Sequence, residues 1–243
     1  MKKMIIAGCS HAAGSEIDGS EDSTYNRQNS FGNILAKKMS YTPINIASPS
    51  ATNHTIARSV LEWFSTQYDP ADEVFVVVAW TESSRMEVPM HRATWYDHHT
   101  PHHDWFSTSG RDYIRINSGY PGGTDDERAM IPDYHRFMVN NEIYLQIASA
   151  NAVLQMQYFL NMHKVGFVMS NTMHMFKPMD HHLKFYIDQI DKTTYMGLYE
   201  SFFWKFRNAG YINEKAKYWH HNEIPHQIYA DELYSFIHHG NIL

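Results

Sequence analysis

Cysteine is nearly missing from this chain. Cys9 is the sole thiol, so no internal disulfide can form, and a reducing compartment fits. Long apolar runs are missing too: no window approaches the ~18 apolar residues that a membrane span needs. The run Met4–Ala7 is far shorter than a signal-peptide core, and polar residues follow it at once. A basic excess is also lacking. Lys and Arg number 20 against 26 Asp and Glu, a net charge of −6 with neutral His, which argues against nonspecific nucleic-acid or anionic-membrane partners. No GxGxxG follows the first apolar run, which disfavours a dinucleotide binder. No HExxH and no paired CxxC is present, so no established zinc pattern is either. These absences leave a cytoplasmic protein without cofactor as the expectation.

What is there is ordinary for a folded domain. The hydrophobic share is 43% and the charged share 19%, and 243 residues suffice for one α/β domain with a large core. Met4–Ala7 reads as a buried strand ending in a turn at Gly8. Ser30–Met39 places Phe31, Ile34, Leu35 and Met39 on one helical face, and Pro43–Ala47 reads as a second strand. Asn53–Tyr68 repeats apolar residues at helical spacing behind Thr52 or Asn53 as N-cap. Glu73–Trp80 (EVFVVVAW) is apolar on both faces, as a central parallel strand requires. Residues 84–135 read as a long irregular insert. Glu142–His163 is a long helix, Val165–Ser170 a strand and Leu183–Ile190 a short amphipathic piece. Leu198–Ala209, stopped by Gly210, and Ile224–His238 close the chain as helices. Strands alternating with helices predict one domain over 1–243: a three-layer α/β/α sandwich with a central, mostly parallel sheet.

Open parallel sheets carry their sites at the carboxyl ends of the strands. Three strand ends here are polar: Gly8-Cys9-Ser10-His11 to Gly14, Asn45 to Asn53, and Trp80-Thr81-Glu82. A fourth polar element, Trp219-His220-His221 to His226, precedes the last helix. Hydrolytic serine chemistry needs a hydroxyl beside a base, with donors for an oxyanion. Ser10 on its glycine-flanked turn offers the hydroxyl and its own N–H, the loop at Ser50 offers a second N–H, and a histidine before the last helix offers the base. The plainer alternative for Ser10 is a helix N-cap.

The combination resembles the SGNH (GDSL-like) hydrolases. Gly8-Cys9-Ser10-x-x-x-Gly14 resembles their block I, with Cys9 in place of the usual Asp. Asn45-Ile46-Ala47-x-Pro49-Ser50-Ala51-Thr52-Asn53 resembles block II of a divergent branch associated with tailed bacteriophages and some bacteria. Trp80-Thr81 with Arg85 resembles its W-T-x-x-x-R version of block III, and His221 to His226, Tyr229 and Ala230 resembles block V. The resemblance implies an SGNH/flavodoxin-like sandwich, Ser10 and His221 as catalytic residues, and Ser50, Asn53, Thr81, Arg85 and His11 around the oxyanion and substrate. His220 is the rival base, ranked second on spacing. The chain departs from the family in three places. Ser50 stands for the block II glycine, Thr81 is nearest to the missing block III Asn, and Tyr218 replaces the Asp three residues before the histidine. His221 would then act in a Ser–His dyad or be oriented by a backbone carbonyl. His226 is expected to pack or to cap the last helix, and Arg85 either to bind an anionic substrate or to brace the insert through a carboxylate such as Glu87.

The insert gathers His91, His98, His99, His102 and His103 with Asp97 and Asp104. Its H-H-x-x-H-H spacing matches no established metal site, so a polar, aromatic, lid-like cover is preferred to a metal centre. Two functions compete. One is an ester hydrolase for small-molecule or glycan esters, such as a carbohydrate O-deacetylase, working through an acyl-enzyme. The other is an inactive relative with a binding or structural role, for example in a phage, whose place would be the host cytoplasm. Oligomeric state is not legible.

Overall fold

A computed structural model describes residues 1–89, 113–116, 136, 141–176, 181–240 and 242. The histidine-rich cluster of the insert lies outside these residues. Four parallel strands form the main sheet: β1 (Lys2–Gly8), β2 (Thr42–Asn45), β3 (Glu73–Trp80) and β6 (Gly166–Asn171), in the order β2-β1-β3-β6. Between β3 and β6, where the sequence predicts an irregular insert over 84–135, the described residues instead include a second, two-stranded antiparallel sheet, β4 (Met86–Pro89) paired with β5 (Tyr113–Ile116). The described helices are α1 (Ser10–Ala13), α2 (Thr24–Gln28), α3 (Phe31–Lys38), α4 (Asn53–Thr66), α5 (Glu142–Met162), α6 (His181–Ile187), α7 (Phe202–Asn208) and α8 (Glu223–His239).

The strands are apolar on both sides because helices cover both faces of the sheet. Ile5, Ala7, Val76, Val78 and Trp80 pack with Ile56, Val60 and Trp63 of α4 and Val153, Met156 and Leu160 of α5. Their alternating neighbours Met4, Ile6, Phe75, Val77 and Ala79 pack with Phe31 and Leu35 of α3, Phe202 and Phe206 of α7, and Leu233 and Ile237 of α8. The three-layer sandwich expected from the sequence is thus the observed architecture. β1 runs in register beside both β2 and β3 and so sits inside the sheet. β2 is a four-residue edge strand containing Pro43, opposite Met4.

Local chemistry sets the boundaries. Thr52 caps α4 through its side chain, which accepts from Thr55 N. Ser201 caps α7 in the same way, so that helix starts later than its apolar pattern suggests, and Gly210 follows it at φ 86. Among the described residues, no helix is long and apolar enough to cross a membrane.

Candidate active site

The turn after β1 positions Ser10. A Cβ on Gly8 would lie 2.5 Å from Ala12 Cβ and 2.9 Å from Ala79 O, so only glycine lets the chain fold straight back into α1. Ser10 opens α1 at the carboxyl end of an inner strand, where its N–H has no partner within the helix. The side chain is mostly buried, and its hydroxyl makes no hydrogen bond among the described residues. Cys9 lies 3.1 Å from Thr172 Oγ1, which donates its own proton to Trp80 O at 2.7 Å. The thiol is therefore the donor to Thr172, and it pins the turn to the ends of β3 and β6.

The other predicted site residues divide. Ser50 is exposed and adopts φ 61, the left-handed region that favours glycine, which explains why a glycine suits this place. Asn53 is buried with its amide fully engaged: Oδ1 accepts from Thr81 N at 2.9 Å, and Nδ2 donates to Thr81 O at 3.1 Å and Ser149 Oγ at 3.0 Å. This amide braces the start of α4 against the end of β3 and has nothing left for a substrate. The Thr81 hydroxyl is buried without a partner, and Thr81 serves through its backbone. Arg85 pairs with Glu82 at 2.9 Å and reaches Ala51 O at 3.4 Å. The suggested partner Glu87 instead holds Arg58 at 2.8 Å and bonds Thr55. Arg85 therefore fastens the Ser50 loop, and its charge still lowers the pKa values of His11 and His220.

The histidines converge on Ser10's neighbour. The His11 ring is 4.6 Å from that of His220 and 6.4 Å from that of His221, centroid to centroid, against Phe202 and Phe203. His11 Nδ1 is buried without a partner, and burial above all holds its pKa well below 6.5, so His11 is neutral.

His221 and His220 differ sharply. His221 Nδ1 lies 3.0 Å from Tyr211 O and its Nε2 3.0 Å from Phe203 O. A carbonyl is already present at each ring nitrogen, so neither is left to take a proton from Ser10. Burial lowers the His221 pKa, partly countered by these carbonyls. The sequence reading that a backbone carbonyl orients His221 describes half of this geometry; the second carbonyl takes the atom a base would use.

His220 carries the arrangement a base requires. Its Nδ1 lies 2.6 Å from Glu16 Oε2, deep in the protein. The Glu16 carboxylate also accepts from the backbone N–H groups of Lys217 and Tyr218, both at 2.9 Å. A carboxylate can only accept, so His220 Nδ1 bears the proton and Nε2 presents its lone pair. No described group hydrogen-bonds Nε2, and the atom is not fully buried. Burial lowers the His220 pKa and Glu16 partly restores it. Asn213 Nδ2 donates to Glu16 O at 2.7 Å and ties this segment to the loop after α1. Glu16 was not singled out from the sequence. It lies in a polar loop with several acids, and its position six residues past Ser10 was the only available signal.

His226 caps a different helix from the one expected. Its Nδ1 accepts from Phe31 N at 3.2 Å, satisfying the first turn of α3, and its ring stacks on Phe31. Burial pushes its pKa down to about 3. Among the described residues, no group of three or more His, Cys, Asp or Glu is arranged to hold a metal ion.

No family model matches this chain, and no curated protein matches it. Solved structures do. The psychrotrophic esterase EstA from Pseudoalteromonas is similar over 98% of this chain and 98% of its own, at 10% identity and a TM-score of 0.49. A member of the lipolytic G-D-S-L family from Veillonella parvula is similar over 96% of both chains, at 13% identity and a TM-score of 0.45. An acetyl xylan esterase from the rumen bacterium Butyrivibrio proteoclasticus is similar over 98% of this chain and 64% of its own, at 13% identity and a TM-score of 0.44.

Proposed function

We propose that this chain is a serine ester hydrolase whose base is His220, oriented by Glu16, with Ser10 as nucleophile. The observation that carries the reading is the buried Glu16–His220 pair, which leaves Nε2 without a hydrogen bond among the described residues, in a ring 4.6 Å from that of His11, the residue after Ser10. Ser10 attacks the ester carbonyl and His220 Nε2 takes its proton. The N–H groups of Ser10 and Ser50 hold the oxyanion, the alcohol leaves with the proton from His220, and water attacking the acyl-enzyme releases the acid. Substrates are small-molecule or glycan esters.

The second reading is a non-catalytic binding protein. It is favoured by the missing hydrogen bond between Ser10 and either histidine among the described residues. Catalytic hydrogen bonds often tighten only when substrate is bound, so this separation alone does not decide. Labelling with a fluorophosphonate probe and hydrolysis of p-nitrophenyl acetate decide between the two. Wild type reacts and turns over, Ser10→Ala does neither, and His220→Ala loses turnover by roughly 10²–10⁴-fold. His221→Phe retains labelling. Equal loss in the two histidine variants at equal folded fraction sinks the assignment of His220, and an unreactive wild type sinks the hydrolase.

A further inference from the structure

We propose that the hollow beside His220 and His221 is a subsite for an anionic group of the ester substrate, a carboxylate or a phosphate, with Arg207 as its ligand. This rests on the esterase reading above. The cavity measures about 260 Å³, and its walls include Arg207, Tyr211, Asn213, Glu214, Trp219 and His220. A group bound there lies against the ring that serves as base.

Arg207 is the reason the hollow suits an anion. It sits near the end of α7, half-buried, with its guanidinium 4.0 Å over the Trp219 ring and 5.7 Å from that of Phe203. These aromatic faces attract the cation but offer no oxygen to accept its N–H groups. Among the described residues no carboxylate or carbonyl bonds the Arg207 side chain. Its counterparts are paired: Arg27 with Asp22, Arg58 with Glu87 and Arg85 with Glu82. Asn213 cannot stand in as a partner, because its amide is committed to Glu16 O and Lys215 N. Glu214, the one acid in the lining, is exposed and makes no ion pair with Arg207 among the described residues. The charge is felt at the site, where it helps to lower the His221 pKa.

Trp219 adds an independent sign. It has φ 70 and is 62% exposed, a strained backbone for a bulky residue that gains little burial in return. Such strain concentrates at ligand clamps. Here it presents the indole to Arg207 immediately before His220. A guanidinium left without a partner can meet carboxylate or phosphate oxygens in two parallel hydrogen bonds.

The test uses the full chain. Hydrolysis of p-nitrophenyl butyrate is compared with that of mono-p-nitrophenyl succinate in wild type, Arg207→Met and Arg207→Lys. Sodium succinate and inorganic phosphate are titrated calorimetrically into Ser10→Ala protein with and without Arg207→Met. Wild type is expected to favour the succinate ester by roughly tenfold in kcat/KM, chiefly through KM. Arg207→Met erases that preference, Arg207→Lys keeps part of it, and melting curves verify that the variants fold. Saturable binding of either anion to Ser10→Ala protein, lost on adding Arg207→Met, supports the subsite; a preference for phosphate assigns the group as a phosphate. The same ester preference in wild type and Arg207→Met overturns the proposal, as does failure of both anions to bind. If wild type hydrolyses neither ester while Ser10→Ala protein binds succinate through Arg207, the hydrolase reading fails and the anion site stands.

Discussion

Glu16 and His220 stand 204 residues apart in the chain, and Glu16 Oε2 lies 2.6 Å from His220 Nδ1. Two backbone N–H groups from the His220 segment hold the same carboxylate. In the proposed mechanism the acid that orients the base therefore comes from the loop that follows Ser10, and the segment preceding His220 contributes backbone amides to hold that acid. The pair has a cost: Glu16 sits at φ 62.

Glu16→Gln tests this pairing. The amide retains the shape but can turn its NH₂ toward His220, reversing the tautomer and blocking Nε2. The expected result is a fall in kcat of roughly 10²–10⁴-fold with little change in KM. A melting curve taken alongside separates this from unfolding. Unchanged kcat in a folded variant removes Glu16 from the mechanism.

Activity should also survive into mild acid. As the proposed base, His220 works when neutral, and burial, opposed by Glu16 and aided by Arg85, sets its pKa below the ordinary 6.5. The acid limb of kcat/KM against pH is expected to have its midpoint below 6.5. Arg85→Met removes a nearby positive charge and moves that midpoint upward. A midpoint above 6.5 in wild type contradicts the environment described for this ring.

Stability should move with pH in the same direction. His226 titrates at about 3 when folded against 6.5 in the unfolded chain, so below 6.5 the unfolded state binds more protons. Its contribution is complete above 6.5 and is lost as pH falls from there toward 3. Each pH unit in that window costs about 1.4 kcal/mol for this residue. His11, His220 and His221 are lowered as well and steepen the loss. Urea unfolding between pH 8 and pH 4 reads the slope, and His226→Gln flattens it by about one proton. A flat profile rules out a neutral, buried His226.

Two neighbouring substitutions should act oppositely. Asn53→Ala breaks the bracket to Thr81 and Ser149 and leaves buried polar groups unpaired, a loss of about 2–4 kcal/mol. Ser50→Gly relieves a left-handed residue and should raise stability by up to about 1 kcal/mol. Thermal or urea melts check both. A neutral Asn53→Ala shows that the amide is not the brace described.

Much of the fold was legible because burial on both faces leaves a continuous apolar run. β1, β3 and β6 announce themselves so, and the 3.6-residue period marks α3, α4 and α8. The short α1 and α2 carry too few residues for any period to show. Ser10 was legible through Gly8 and Gly14, since a turn so tight limits what stands there. Glu16 was not, because Asp18, Glu21 and Asp22 share its loop and only closure against Asn213 selects among them. Nor could spacing separate His220 from His221. Adjacent side chains leave the backbone in different directions, and which one meets the carboxylate is fixed by the left-handed turn at Trp219. Asn53 misled for another reason: an amide that binds substrate and an amide that clamps two loops look the same in a motif.

Four residues long and bearing a proline, β2 makes a poor template for a foreign strand: Pro43 has no N–H to offer. On that flank the sheet resists extension by another chain and the fibrillar stacking that begins there.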